Sequence, residues 1–131
     1  MGLRRDYYLH PKEGLIKWIE EPADRPMHIL DVGCGCGASM GYLKGIYPNA
    51  ELYGIEIVPE VAELASHMGT VLCGDVEKTG LPWEEGYFDY ILMGDVLEHL
   101  MEPEKILKRL KRRLKRDAAG LNSPAAIRLY R

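Results

Sequence analysis

The sequence predicts one α/β domain built on a mostly parallel sheet. Two observations carry that prediction. Short apolar runs alternate with helix-like stretches over most of the chain, which is the pattern of strand–helix–strand units. Three of the runs end in glycine or a carboxylate, at Val32-Gly33, Ile55-Glu56 and Cys73-Gly74-Asp75. Ligands of open parallel sheets bind at such strand ends. The length of 131 residues suits a single domain. It divides into a helical N-terminal segment (1–26), a core (27–116) and a tail of different character (117–131).

The elements follow in order. Residues 12–20 read as a helix with Leu15, Ile16 and Ile19 on one face, and Pro22 and Pro26 close it. Met27 to Val32 form a short buried strand, and Gly33 to Gly37 a glycine-rich turn. Ala38 to Tyr47 read as a helix stopped by Pro48-Asn49. A second strand spans Glu51 to Ile57. Pro59 then suits the first turn of a helix that continues over 60–68. Thr70 to Cys73 give a third strand, a loop with Gly80, Pro82 and Gly86 follows, and Phe88 to Met93 give a fourth. Pro103 opens a last helix running to about Arg116, with Ile106, Leu107, Leu110 and Leu114 at helical spacing.

Composition narrows the function classes. With 47% hydrophobic and 28% charged residues, collagen-like, disulfide-dense and wholly disordered chains are excluded. No run of apolar residues is long enough to span a membrane. The first residues lack a secretory signal, and Asp6 breaks the myristoylation pattern. Cys34, Cys36 and Cys73 form neither a disulfide framework nor a paired metal-ligand motif. They are expected to be inert thiols of a cytoplasmic protein, with no metal.

The net charge of −3 hides an asymmetry. Residues 1–104 hold 7 Lys/Arg against 19 Asp/Glu, and residues 105–131 hold 10 against 1, so a −12 body precedes a +9 end. Eight of the twelve residues from Lys105 to Arg116 are basic. No aromatic residue is interleaved for base stacking. The stripe therefore reads as a solvated helix face, and neither nucleic acid nor membrane is expected as a partner.

The glycine-rich turn is the strongest local signal. In Ile29-Leu30-Asp31-Val32-Gly33-Cys34-Gly35-Cys36-Gly37 a strand ends in glycines and opens a helix. Such a turn brings backbone N–H groups against a ligand. Gly33, Gly35 and Ala38 also satisfy the looser dinucleotide fingerprint, so the turn alone does not choose a cofactor. Glu56 ends the second strand, 23 residues after Gly33. A carboxylate there can accept hydrogen bonds from both ribose hydroxyls of a nucleoside. Asp75 follows the third strand and can accept from an adenine amino group.

These residues, in this order, resemble the class I S-adenosylmethionine-dependent methyltransferases over about residues 27–116. Asp31 to Gly37 resemble the family's first motif and Gly54-Ile55-Glu56-Ile57 its acidic strand end. Gly74-Asp75-Val76 resemble its adenine-edge motif, and Phe88 to Leu100 its fourth motif and following turn. The last is similar to the small-molecule branch, including ubiquinone-biosynthesis-like enzymes and those associated with surface glycans. The resemblance implies a Rossmann-like three-layer sandwich that binds S-adenosylmethionine and releases S-adenosylhomocysteine. It implies that Gly33, Gly35 and Gly37 pass the methionine part and that Asp31 helps hold its ammonium. Glu56 would bind ribose, Ile57 would pack on adenine, and Asp75 and Val76 would edge the ring. Gly94 and Asp95 would border the methyl end. His99 is the best-placed general base for a hydroxyl acceptor, and Tyr7 or Tyr8 could close over the cofactor.

The resemblance stops at the tail. A seven-stranded sheet needs about 200 residues at roughly 30 per strand–helix unit, so this sheet is expected to be truncated after about four or five strands. Ala118 to Arg131 do not resemble the family, as in a shortened or frame-shifted gene. Ile127 and Leu129 alternate about Arg128 as a short strand would. That strand would cover the edge of the fourth, or pair with another chain in a homodimer. The expected partner is a small-molecule methyl acceptor. Two other readings remain at this point: a nicotinamide-dinucleotide-binding oxidoreductase fragment, and a non-catalytic module that uses its basic helix to bind a partner or nucleic acid.

Overall fold

Five strands make the sheet: β1 (Met27–Val32), β2 (Ala50–Glu56), β3 (Thr70–Cys73), β4 (Tyr90–Gly94) and β5 (Ile127–Tyr130). All pair in parallel, in the order β3-β2-β1-β4-β5. The structure, a computed structural model, describes residues 13–94, 96–121 and 126–130. The helices are α1 (Glu13–Ile16), α2 (Ala38–Ile46), α3 (Pro59–Ala65) and α4 (Pro103–Arg112), with a 3-10 turn at Leu97–His99.

Strand alternation sends neighbouring residues to opposite faces, and both faces are covered. Ile29, Leu52 and Leu92 pack with Ile16, Met40, Leu43 and Ala65, so α1, α2 and α3 lie on one side. Leu30, Ile55 and Ile91 pack with Ile106, Leu110 and Leu114, so α4 lies on the other. This is the expected three-layer sandwich.

Several boundaries differ from the sequence expectation by one to three residues, and three differ for a structural reason. Among the described residues, the helix expected over 12–20 covers Glu13–Ile16 and ends well short of 20. After it the chain turns, Ile19 donates its N–H back to Ile16 at 3.0 Å, and the Tyr47 hydroxyl caps the Ile19 carbonyl at 2.7 Å. The last helix ends at Arg112 rather than near Arg116. Leu114 instead runs extended beside Phe88, with Phe88 N–H donating to Arg113 and Lys115 N–H to Phe88, both at 2.8 Å. That bridge also removes Phe88 from β4, which starts at Tyr90.

The tail takes the first of its two expected roles. Ile127 pairs with Ile91 and Leu129 with Met93, so β5 covers the edge of β4. The Arg128 guanidinium lies 4.8 Å from the centre of the Trp18 ring and ties β5 to the N-terminal segment.

At the amino ends of the strands Asp89 acts as a hub, 8% exposed. It accepts from the His28 N–H at 2.9 Å, Arg25 at 3.1 Å and Lys115 at 3.3 Å. Beside it Tyr53, Trp83, Tyr87 and Phe88 pack edge to face. The opposite, carboxyl ends of the strands are left for the site.

Candidate functional site

The helices after β1 and β4 leave the sheet on opposite faces, so a crevice opens where the strand order reverses. A cavity of about 550 Å³ occupies it. Gly33, Glu56, Ile57, Asp75, Val76 and His99 all line it. They come from four separate segments, which the parallel topology brings to one edge.

The glycine turn is built tightly against β2. Gly33 and Cys34 donate their N–H groups to the Ile55 carbonyl at 2.8 and 3.1 Å. Gly33 has φ +73°, and a Cβ there would stand 2.6 Å from Val96 Cγ2. Only glycine fits both demands. The next glycine, Gly35, donates its N–H to Glu56 Oε1 at 2.9 Å. Val58 N–H donates to Glu56 Oε2 at 3.0 Å. The two bonds fix a carboxylate that is only 5% exposed on the cavity wall. Each oxygen has a second lone pair to offer a ligand.

Asp75 builds the facing wall. Its Oδ1 accepts the Glu77 N–H at 2.9 Å, and its carbonyl accepts Lys78 and Thr79 N–H at 2.9 and 2.8 Å. Val76 is buried at 6% exposure, while Ile57 is 60% exposed at the mouth. His99 ends the 3-10 turn with its side chain 76% exposed and its Nε2 3.9 Å from Glu98 Oε1. It therefore reaches the cavity from the water side.

The remaining predicted residues stand behind the cavity or outside the description. Asp31 is fully buried at the end of β1, between Gly54 and Leu92, and does not line the cavity. Gly35 spends its N–H on Glu56. Gly37 lets α2 approach α3, where a Cβ would meet Ala65 Cα at 3.0 Å. Gly94 is buried at the end of β4, behind the Gly33 turn. Asp95, Tyr7 and Tyr8 lie outside the described residues.

Sequence reasoning missed Glu77, Arg109 and Arg113. Glu77 lines the cavity, and its Oε2 accepts the N–H groups of Met101 and Glu102, each at 2.9 Å. Arg109 and Arg113 reach back to loop carbonyls. The available signal was helical phase, since both arginines follow the buried Ile106 and Leu110 by three residues. Among the described residues no group of His, Cys, Asp and Glu could hold a metal.

A parallel sheet reversing at β1, with a glycine turn locked onto one acidic strand end and a second acidic loop beside the same cavity, defines a Rossmann-like α/β domain. The chain belongs to the methyltransferase domain family, whose pattern matches residues 30–120. It is similar to ajmaline N-methyltransferase of Rauvolfia serpentina, 29% identical over 71% of this chain and 34% of the relative. It is also similar to malonyl-[acyl-carrier protein] O-methyltransferase of Anoxybacillus flavithermus, 34% identical over 73% of this chain and 37% of the relative. A solved SAM-dependent methyltransferase from Aquifex aeolicus superposes with a TM-score of 0.62 at 27% identity, covering 82% of this chain and 60% of that one. The chain thus spans about a third of the length of the curated relatives it matches.

Proposed function

We propose that this chain binds S-adenosylmethionine and serves transfer of its methyl group to an O, N or C nucleophile of a small molecule, leaving S-adenosylhomocysteine. The observation that carries the reading is Glu56, a buried carboxylate held by Gly35 and Val58 on the wall of the switch-point cavity. Its free lone pairs suit a pair of ribose hydroxyls. The donor set around it fits an adenosyl group: apolar Ile57 and Val76 for the ring faces, and acidic Asp75 for the amino edge. Gly33 leaves the main chain bare on the side of the methionine part. Gly35 and Gly37 continue that turn, Asp31 would help hold the ammonium, and Gly94 and Asp95 would border the methyl end. The similar N- and O-methyltransferases support a nitrogen or oxygen acceptor.

When bound, the cofactor supplies a methyl group already activated on a sulfonium. The chain's residues orient the reactants and exclude water. With a hydroxyl acceptor, His99 takes the proton on its imidazole. We place the chain in the cytoplasm, in keeping with cysteines that form no disulfide among the described residues. A homodimer would form along the outer edge of β5, where Leu129 is 48% exposed. Deleting residues 121–131 should then dissociate the oligomer or lower solubility, and an unchanged sizing profile removes the dimer.

Calorimetric titration tests the main reading. S-adenosylmethionine and S-adenosylhomocysteine should bind saturably, and NAD should not. Absence of adenosyl binding at about 1 mM ligand, a free energy of about −4.1 kcal/mol, overturns it.

A further inference from the structure

The basic helix turns two of its cations inward, and they grip the wall of the crevice. Between β3 and Phe88 the chain forms no strand pair, so its carbonyls need partners elsewhere. Arg109 donates to the Val76 carbonyl at 3.3 Å and the Thr79 carbonyl at 3.0 Å. Arg113 donates to Trp83 at 3.1 Å and Leu81 at 3.5 Å. A third bond from Arg113, to the Arg109 carbonyl at 3.1 Å, braces the fork on its own helix. Glu77 returns the connection from loop to helix. Its carboxylate holds the Met101 and Glu102 N–H groups, and Glu102 itself supplies no side-chain cap to α4. An anion at the first turn and guanidinium groups toward the last also match the helix dipole.

The geometry points to Arg109 as a positioning residue for the cofactor, acting through the Asp75–Thr79 turn, with Glu77 and Arg113 completing the clamp. This rests on the functional reading proposed for the cavity. The two Arg109 bonds land on Val76 and Thr79, the carbonyls that bracket the turn closed by Lys78 and Thr79 N–H on Asp75. Fixing both fixes the direction of the Asp75 carboxylate and the Val76 side chain, which line the cavity. Arg109 itself does not line it. Lysine replaces it only in part, because a point ammonium lacks the planar fork that spans two acceptors.

The test uses the full chain with S-adenosylhomocysteine as the probe, well below the melting midpoint. Arg109→Met should weaken binding about tenfold and Arg109→Lys about threefold, the former equivalent to about 1.4 kcal/mol. Amide exchange at 75–79 should quicken in both. Arg112→Met removes the same charge from the exposed face of α4 and should change neither readout. A purely structural role would lower the melting midpoint and leave affinity intact in the folded protein, which overturns the proposal. Unchanged exchange at 75–79 overturns the clamp itself, whether or not ligand binds. A wild-type chain that binds no probe overturns the functional reading instead, and the exchange measurement still decides the clamp.

Discussion

Replacing Gly33 by alanine places a methyl group where Val96 already sits. The backbone at 33 has φ +73°, and the new Cβ would stand 2.6 Å from Val96 Cγ2. The left-handed backbone costs a non-glycine residue about 1–2 kcal/mol. Overpacking adds about 1–3 kcal/mol. Gly33→Ala should therefore destabilise the chain by about 2–5 kcal/mol, the sum of those two costs. The two parts separate in a double-mutant cycle. Val96→Ala removes the obstructing methyl and, at a half-buried position, costs about 1 kcal/mol alone. In the double variant only the backbone cost and the lost Val96 packing remain. The cycle should return a favourable coupling of about 1–3 kcal/mol, read from equilibrium urea unfolding. Additivity within about 0.5 kcal/mol refutes the steric argument. A Gly33→Ala variant within about 0.5 kcal/mol of wild type refutes the backbone argument as well.

Three further outcomes follow from named bonds. Glu56→Gln offers one acceptor oxygen to two N–H donors, so it should cost about 1–3 kcal/mol in urea unfolding and weaken S-adenosylhomocysteine binding; a variant that keeps both values shows the carboxylate is idle. Asp89→Asn leaves the His28 N–H, Arg25 and Lys115 competing for one oxygen, a loss of about 1.5–3 kcal/mol that a thermal melt would register, and an unshifted melt removes the hub. Burial, and then its hydrogen bond to Glu21, push the Tyr90 hydroxyl up to about 12 from 10.0. The folded value lies above the unfolded one, so this contribution is complete below pH 10 and is lost as pH rises through 12. Stability should fall over that window, and Tyr90→Phe should flatten the fall; an equal fall in the variant assigns it elsewhere.

Much of the architecture was legible because periodicity reports burial. The runs read as strands at 27–32, 51–57 and 70–73 are mostly apolar, and they form the parallel strands 27–32, 50–56 and 70–73. Glu56, Asp75 and His99 were legible because the carboxyl edge of such a sheet collects whatever follows its strands. The parts that were not legible depend on long-range partners. Phe88 and Leu114 look like strand and helix residues by local pattern, yet they pair with each other across 26 positions. Arg109 and Arg113 read as solvated charge in a run of cations, and only the neighbouring loop's unpaired carbonyls turn them inward. Asp31 and Gly94 lie in motifs aimed at the ligand, and both are buried near the carboxyl ends of their strands.

The strand order also sets a timetable for folding. Met27 pairs with Ala50, 23 positions on, whereas Leu30 pairs with Ile91, 61 positions on. Contacts between near neighbours close small loops and form early, while distant ones wait on a larger entropic cost. The β1–β2 half, with the glycine turn already locked on Glu56, can assemble while the chain is still emerging during synthesis. The β4 half, carrying the Val96–Leu100 wall, arrives last. Until it does, Leu30, Ile55 and their neighbours on that face have no α4 to cover them. The nascent chain is then at its most vulnerable to aggregation and to capture by chaperones, and that exposure ends when α4 packs on the face.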